Sequence, residues 1–342
     1  MNANTRYKVA MVGATGAVGE TLLAILAERR FPVGELVALA SERSAGGTVE
    51  FGGRSVTVRN LADHNFDGVD IAFFSAGGAV SRVHAPRAAA AGAVVIDNTS
   101  EFRYEDDVPL VVAEVNPQAI AQYTTRGIIA NPNCSTMGML VALAPIHREA
   151  GIERINVATY QSVSGAGRSG VEELGSQTAA LLSFQEVVPA KFPKQIAFNV
   201  IPHIDDFQPN GYTKEEMKMV WETRKILGDE SIQVNPTAVR VPVFDGHSEA
   251  VHIETRHKIG VERVRELLAA AEGVVLMDER RAGGYPTPVG DVAGKDPVFV
   301  GRIREDISHP RGLDLWVVSD NIRKGAALNA VQIAELLIRD HL

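Results

Sequence analysis

The chain of 342 residues contains a single cysteine, Cys134, at a position where a thiol could act as a nucleophile. It stands in NPNCST (residues 131–136), directly before an apolar run that is typical of a helix ending near Gly151. At a helix N-terminus the dipole lowers the pKa of a thiol, and free N–H groups can hold an oxyanion. A buried packing residue is the alternative. Pro145, inside the run, predicts a kink or an early end of this helix.

A glycine-rich turn near the start of the chain could bind the phosphates of a dinucleotide. Gly13, Gly16 and Gly19 of GATGAVG lie between a predicted strand and a predicted helix. Glycines permit a tight turn and a close approach of the backbone to a pyrophosphate at a helix N-terminus. Their spacing differs from G-x-G-x-x-G, so a turn without a ligand is the alternative. Cofactor contacts are expected at Gly13, Ala14, Thr15, Gly16, Ala17 and Val18.

The residues after the second predicted strand indicate which dinucleotide would bind. An NAD site usually has an Asp or Glu there, which accepts from the ribose hydroxyls. Here the strand ELVALA (35–40) runs into Ser41, Glu42, Arg43 and Ser44. Arg43 and Ser44 suit a ribose 2′-phosphate, so NADP(H) is favoured, while Glu42 keeps NAD open.

The elements that must position these residues form two groups. Up to residue 132, short apolar strands are predicted at 7–12, 35–40, 55–59, 70–75, 93–97 and 110–112, with helices at about 18–29 and 81–91. This alternation predicts βαβ units and a mostly parallel sheet. Later strand candidates, at 154–161, 197–201, 237–243, 250–257 and 313–320, are longer and have few crossover helices between them.

The predicted fold class is therefore α/β with a second, α+β part. A Rossmann-type dinucleotide-binding domain spans residues 1–132 and is joined by an amphipathic C-terminal helix at about 326–342. The second domain, 133–325, has a largely antiparallel sheet, and we expect it to carry catalysis and dimerisation.

Composition excludes several function classes. Lys plus Arg is 34 against 42 for Asp plus Glu, and this net charge of −8 argues against nucleic-acid or anionic-membrane binding. No apolar run approaches the roughly 18 residues that span a bilayer. One cysteine and an N-terminus without a signal-peptide pattern predict a cytoplasmic protein. No Cys, His and carboxylate cluster has metal-binding spacing, so no metal is predicted.

Several segments together resemble the aspartate-β-semialdehyde dehydrogenases. They are IIANPNCST (128–136), YQSVSGAG (160–167), RVPVFDGHSE (240–249) and SDNIRKGAALN (319–329), and the resemblance extends through GATGAVG, SAGG (75–78) and IDNTSEFR (96–103). It implies a reversible, phosphate-dependent oxidation of L-aspartate 4-semialdehyde to L-4-aspartyl phosphate with NADP. The reaction would run reductively in the biosynthesis of lysine (through diaminopimelate), methionine and threonine. The resemblance also implies homodimers, or dimers of dimers.

The resemblance assigns roles residue by residue. It implies Cys134 as the nucleophile that forms an acyl thioester, His247 as its acid/base partner and Gln161 as the residue that orients the substrate. The implied substrate contacts are Arg240 for the α-carboxylate, Glu215 for the α-ammonium, and Lys218, Arg103 and Asn133 for phosphate. The implied further cofactor contacts are Ser75, Gly77, Ser164, Gly165 and Asn321.

Residue types fit these roles, although each has an ordinary alternative. The planar guanidinium of Arg240 suits a bidentate pair with a carboxylate. Glu215 and Lys218 lie three apart and would share a helix face. The alternative for Glu215 and Lys218 is an ordinary exposed ion pair. The alternative for His247 is a surface or structural histidine.

Three rival functions are compatible with parts of the pattern. N-acetyl-γ-glutamyl-phosphate reductase would use a cysteine nucleophile in the same way. The amine of its substrate is capped, however, and needs no carboxylate such as that in KEEMK (214–218). The segments flanking Cys134 do not resemble glyceraldehyde-3-phosphate dehydrogenase. A non-catalytic relative on the same fold is disfavoured because Cys134, His247 and Arg240 are all present.

Overall fold

Residues 5–342 are described by a computed structural model, in which the chain separates into two units. The first unit ends at Pro132 and is completed by Ala326–Leu342, and the second is Asn133–Gly325. The first four residues of the N-terminal segment considered above lie outside the described part.

The first unit is built on a seven-stranded sheet in which all neighbouring pairs but one are parallel. Its strands follow the order β3-β4-β2-β1-β5-β6-β7. They are β1 (Tyr7–Val12), β2 (Val33–Ala40), β3 (Thr48–Phe51), β4 (Arg54–Asn60), β5 (Ile71–Phe74), β6 (Val94–Asp97) and β7 (Ile128–Ala130). The predicted mostly parallel sheet is confirmed, and the carboxyl ends of its six mutually parallel strands share one edge.

Three helices cover this sheet: α1 (Ala17–Glu28), α2 (Gly78–Ala90) and α7 (Leu328–Asp340). The last is the predicted amphipathic C-terminal helix, and it buries Val331, Ile333 and Leu337 in the same core as Val9 and Ile25. The first unit therefore takes part of its core from the far end of the chain.

The second unit contains a six-stranded sheet with three antiparallel and two parallel pairings, in the order β11-β12-β13-β10-β8-β9. Its strands are β8 (Ile152–Gln161), β9 (Gln233–Arg240), β10 (His247–Thr255), β11 (Val274–Leu276), β12 (Val298–Glu305) and β13 (Gly312–Ser319). The antiparallel pairs are the central ones, so the predicted largely antiparallel sheet is confirmed.

Four helices accompany this sheet: α3 (Cys134–Ala150), α4 (Arg168–Leu182), α5 (Lys214–Leu227) and α6 (Val261–Ala270). α3 is buried along most of its length, because nearly all of its residues are apolar or small. α5 begins with a capping box between Thr213 and Glu216 and ends at Gly228, which adopts a left-handed conformation.

Two predicted strands do not form, because side chains make hydrogen bonds with the backbone groups that a sheet would pair. At 110–112 the Asn116 side chain accepts from Val112 N–H and donates to Leu110 O, both at 2.9 Å, so only an isolated bridge remains. At 197–201 the Gln177 amide oxygen accepts from Ala197 N–H at 3.2 Å, and Phe198 has a positive φ. Neither segment can extend a regular ladder.

Two other element ends differ from the prediction. β9 ends at Arg240 rather than at 243, because its partner strand β8 ends at Gln161, which pairs with Arg240. α3 continues through Pro145 to Ala150, so the predicted early end of this helix was wrong. Leu143 and Ile146, on either side of the proline, are fully buried, and tertiary packing supplies most of the stability of such a helix.

β3 and β4 form a hairpin, of which the sequence predicted only β4. Among residues 5–342, no helix combines the length and apolar character that a bilayer crossing requires. Within the same residues no group of three or more His, Cys, Asp or Glu is arranged to hold a metal ion.

Candidate active site

Cys134 is the first residue of α3, and Asn133 caps that helix. The Asn133 Oδ1 accepts from the backbone N–H groups of Ser135, at 3.0 Å, and Thr136, at 3.2 Å. Asn133 is an effective N-cap because its side chain satisfies donors that have no intrahelical partner. The sulfur is thus attached at the positive end of a 17-residue helix.

Asn133 is itself held by two carboxylates of α5. Its side-chain Nδ2 donates to Glu215 Oε1 at 2.9 Å, and its backbone N–H donates to Glu222 Oε2 at 2.6 Å. The two glutamates are seven residues apart, which places them two turns apart on one helix face. α5 therefore fixes both the side chain and the backbone of the residue before Cys134.

Glu215 is the centre of a buried polar cluster. Its Oε1 also accepts from Gln161 Nε2 at 3.2 Å, and its Oε2 accepts from Lys218 Nζ at 2.8 Å. Burial opposes ionisation of Glu215, but the Lys218 charge and these hydrogen bonds outweigh it and lower its pKa to about 2. With 5% exposure for Glu215, the alternative of an exposed ion pair was wrong.

Lys218 is shared between two carboxylates. Its Nζ donates to Asp205 Oδ2 as well as to Glu215, both at 2.8 Å. Burial would lower the pKa of Lys218, but the two carboxylates raise it well above its ordinary value. Lys218 is therefore a fixed positive charge at neutral pH.

Arg240 pairs directly with Gln161 across the β8–β9 ladder, and both side chains are buried. Its Nη1 donates to the Ser162 carbonyl oxygen at 2.7 Å. Burial lowers the pKa of Arg240, whereas attraction to Glu215 and Cys134 opposes that change. The guanidinium is thus close enough to Cys134 to favour a thiolate there.

His247 begins β10, and its ring orientation is fixed by Ser162. The backbone N–H of Ser162 donates to Nδ1 at 3.2 Å, and the Ser162 hydroxyl lies 3.0 Å from the same atom. Because a backbone N–H can only donate, Nδ1 is an acceptor and the neutral ring carries its proton on Nε2. Burial and the Arg240 charge lower the pKa of His247 to about 3.

The Nε2 of His247 is buried and has no hydrogen-bond partner within the described residues. Gly165 faces it: an added Cβ would stand 3.3 Å from Nε2 and 2.9 Å from Arg240 Nη1. A side chain at Gly165 would therefore crowd both groups.

Asn321 organises the loop that follows β8. Its Nδ2 donates to Ser164 Oγ, and its Oδ1 accepts from Gly246 N–H, both at 3.0 Å. SGAGRSG (164–170) alone is typical of a flexible loop, but here it forms a short 3-10 turn and the first turn of α4.

The predicted dinucleotide contacts in the first unit lie at the carboxyl edge of its sheet. Gly13 follows β1 with φ +89°, and an added Cβ would be 2.7 Å from the Ser75 carbonyl oxygen after β5. Gly16 is the N-cap of α1, without a side-chain cap. A bare backbone cradle at an uncapped helix N-terminus fits a pyrophosphate. Ala14, Thr15, Ala17 and Val18 form the rest of this turn and the start of α1.

The other predicted contacts of this unit follow neighbouring strands. Gly77 is the N-cap of α2, with φ +94°. Arg43 and Ser44 belong to a 3-10 turn after β2, and Arg43 is exposed. Arg103 comes six residues after β6, is 6% exposed and donates to the Asn98 carbonyl oxygen at 3.1 Å.

Four residues in or beside these clusters were missed by sequence reasoning. Ser162 links His247 to Arg240, Glu222 binds Asn133, Asp205 binds Lys218, and Glu249 is a buried carboxyl on the same face of β10 as His247. Ser162 and Glu249 stand inside motifs quoted above, so their proximity to Gln161 and His247 was a usable signal. Asp205 and Glu222 carry no such signal because their partners are distant in sequence.

Each of the two units matches a family model of known proteins. Residues 8–123 match the family model "Semialdehyde dehydrogenase, NAD binding domain", and residues 143–324 match "Semialdehyde dehydrogenase, dimerisation domain". Aspartate-semialdehyde dehydrogenase 2 of Vibrio cholerae is 61% identical over 336 residues, which cover 98% of this chain and 99% of that protein.

Two solved structures are also similar. Aspartate semialdehyde dehydrogenase II of Vibrio cholerae, complexed with ASA, is 60% identical, with a TM-score of 0.97 and coverage of 99% of this chain and 100% of that one. The Candida albicans aspartate semialdehyde dehydrogenase with NADP is 26% identical, with a TM-score of 0.74 and coverage of 98% and 99%.

Proposed function

The chain belongs to the aspartate-semialdehyde dehydrogenase family of oxidoreductases, and on that premise we propose that it converts L-4-aspartyl phosphate to L-aspartate 4-semialdehyde with NADPH, through a thioester on Cys134. The reaction serves the biosynthesis of lysine, methionine and threonine. The observation that carries this proposal is the cluster of Cys134, Gln161, Glu215, Arg240 and His247 in one unit, with charges that complement an amino-acid acyl phosphate.

Cys134 opens the reaction as a thiolate. The N-terminus of α3 and the Arg240 guanidinium both favour its negative charge. Its Sγ forms a bond to the acyl carbon while the bond from that carbon to the phosphate oxygen breaks, and the released phosphate takes up one proton. Nicotinamide dinucleotide, when bound, supplies the hydride that reduces the thioester carbon. Breaking the C–S bond then releases the aldehyde and restores the thiolate.

His247 acts in this scheme first as a hydrogen-bond donor. Its neutral ring presents Nε2–H, and the low pKa of about 3 keeps the ring neutral before substrate binds. A neutral donor can stabilise the oxyanions of the tetrahedral intermediates without transferring its proton. An anion beside Nε2 also favours the imidazolium, which gives His247 its acid/base role when charge develops.

The remaining charges bind the substrate. Arg240 pairs with the α-carboxylate, and Glu215 with the α-ammonium. Gln161 already donates to Glu215, and its amide orients the substrate carbonyl. Lys218, Asn133 and Arg103 are the proposed phosphate ligands.

NADP(H) is the proposed cofactor. The backbone turn 13–18, together with Ser75 and Gly77, supports a pyrophosphate site in the first unit. Arg43 and Ser44 suit the 2′-phosphate, and the Candida albicans relative was solved with NADP. Ser164, Gly165 and Asn321 contact the nicotinamide side. A homodimer, in some forms a dimer of dimers, is the proposed assembly, in keeping with the dimerisation-domain match.

The test is NADPH formation from L-aspartate semialdehyde, NADP and phosphate, with wild type and Cys134→Ala. Activity that requires phosphate and is lost in Cys134→Ala is expected. A wild type that is inactive here but reduces N-acetylglutamyl phosphate would refute the substrate, and a Cys134→Ala enzyme that keeps its rate would refute the thioester.

A further inference from the structure

Glu222 completes the cap of the helix that carries Cys134. In an ordinary capping box, a Glu three residues into the helix accepts from the N-cap backbone N–H. In α3 that position is Thr136, whose side chain cannot take the role of a carboxylate. Glu222 of α5 accepts from Asn133 N–H instead, at 2.6 Å.

The same helix contains an ordinary capping box for comparison. Glu216 Oε2 accepts from Thr213 N–H at 2.7 Å, and its Oε1 accepts from Ala238 N–H at 2.9 Å. Glu216 and Glu222 are both buried carboxyl groups of α5 that bind an N-cap backbone. They differ in the helix they cap, because Glu216 caps its own helix and Glu222 caps α3.

Glu222 and Glu215 together leave Asn133 little freedom. Glu215 holds the side chain at 2.9 Å and Glu222 holds the backbone, while the Asn133 Oδ1 binds the first turn of α3. Asn133 is bonded directly to Cys134 in the chain, so a shift of its backbone moves the sulfur. A displacement of about 1 Å at a reacting atom can lower a rate about a hundredfold.

We propose that Glu222 is a positioning residue for Cys134, which sets the direction of the thiol through the carboxylate–Asn133 hydrogen bond and limits the ionisation of the thiol through its own negative charge. Its negative charge lies at the N-terminus of α3, where it offsets part of the dipole that favours the thiolate. The consequence for turnover rests on the proposed function, whereas the consequence for thiol chemistry does not.

The experiment measures the pH dependence of Cys134 alkylation by iodoacetamide, which needs neither substrate nor cofactor. Cys134 is the only cysteine, so the signal has one source. Glu222→Gln keeps the size and an acceptor oxygen but removes the charge. It should alkylate about threefold or more faster at pH 6 than wild type, because the thiolate is favoured. Glu216→Gln is the matched control and should alkylate like wild type.

Glu222→Asp separates the hydrogen bond from the charge, because the shorter side chain retreats from Asn133. It should keep a pH profile close to that of wild type while kcat falls about tenfold or more, with KM changed less. If Glu222→Gln does not fold, the Asp variant still tests the role, with circular dichroism as the check on folding. A wild-type alkylation profile in Glu222→Gln together with a wild-type kcat in Glu222→Asp, or an equal change in Glu216→Gln, would overturn the proposal. Altered alkylation without any wild-type turnover would refute the proposed function alone.

Discussion

Gly325 lies so close to Cys134 that a methyl group on its Cα would stand 2.6 Å from the Cys134 Cβ and 3.2 Å from its Cα. Real side chains do not approach so closely, and α3 is buried against the rest of the second unit, so Cys134 would have to move. The position beside the thiol is thus open only to glycine.

Gly325→Ala should therefore disable the thiol while leaving the protein folded. We expect kcat to fall about tenfold to a hundredfold, together with slower alkylation of Cys134. Initial rates and alkylation rates measure these effects. Gly175→Ala is the matched control, because an added Cβ meets nothing within 4 Å there. It should keep activity and gain about 0.5–1 kcal/mol of stability, since Gly175 lies inside α4. Wild-type rates in Gly325→Ala would show that this contact does not position the sulfur.

His247 should stay neutral, with its proton on Nε2, well below pH 6. The depressed pKa of about 3 lies below the ordinary value of 6.5, so stability from this group is present above 6.5 and declines as the pH falls toward 3. Nitrogen NMR of the imidazole, assigned with His247→Gln, distinguishes the two tautomers at pH 5. In Arg240→Ala the His247 pKa should rise, because a neighbouring positive charge is removed. A protonated His247 at pH 5 in the wild type would contradict the geometry.

Glu249 should make the protein less stable as the pH rises. Its carboxyl group is 2% exposed, and neither oxygen has a hydrogen-bond partner in the described part of the chain. Burial raises its pKa well above the ordinary value, so the folded protein keeps a proton that the unfolded chain releases. Stability from this group is therefore complete below the unfolded pKa and declines as the pH rises toward the folded one.

Glu249→Gln removes that titration while preserving shape. Its Tm relative to wild type should be higher at pH 8 than at pH 4.5, as followed by circular dichroism. Glu254→Gln, on the same strand but partly exposed, is the control and should show a smaller change between the two values. A Tm difference for Glu249→Gln that is constant over this range would mean that the group does not titrate as stated.

Arg43 should discriminate between the two dinucleotides. Arg43→Ala is expected to weaken NADPH binding about tenfold or more while NADH binding changes little, because only NADPH has the 2′-phosphate that the guanidinium suits. Titration of tryptophan or nucleotide fluorescence gives both dissociation constants. Arg54→Ala, another exposed arginine of the first unit, should affect neither nucleotide. Equal losses for the two nucleotides in Arg43→Ala would assign the 2′-phosphate to other residues.

Elements with continuous apolar strands or strong helix signals could be predicted from the sequence. β1, α1 and the start of α3 at Cys134 follow from local residue patterns. The strands expected at 110–112 and 197–201 have suitable apolar residues, but Asn116 and Gln177 compete for their backbone groups. Local residue propensity does not reveal such a side chain, because its effect depends on tertiary structure.

The candidate site divides in a similar way. Cys134, Gln161 and His247 stand in recognisable motifs, so their types and order could be predicted. The tautomer of His247 depends on one backbone N–H from Ser162. The backbone of Asn133, the N-cap of α3, is held by Glu222, 89 positions away. Such contacts are products of β8, β10 and α5 folding together, and spacing along the chain does not encode them.

The return of α7 to the first unit has a consequence for the order of synthesis on the ribosome. Residues up to Pro132 emerge before the second unit, but Val331, Ile333 and Leu337 of their core emerge after it. Until then Val9 and Ile25 of the first unit lack these apolar partners. The second unit, which is continuous in sequence, can complete its own core first. The core of the second unit should thus be complete before that of the first.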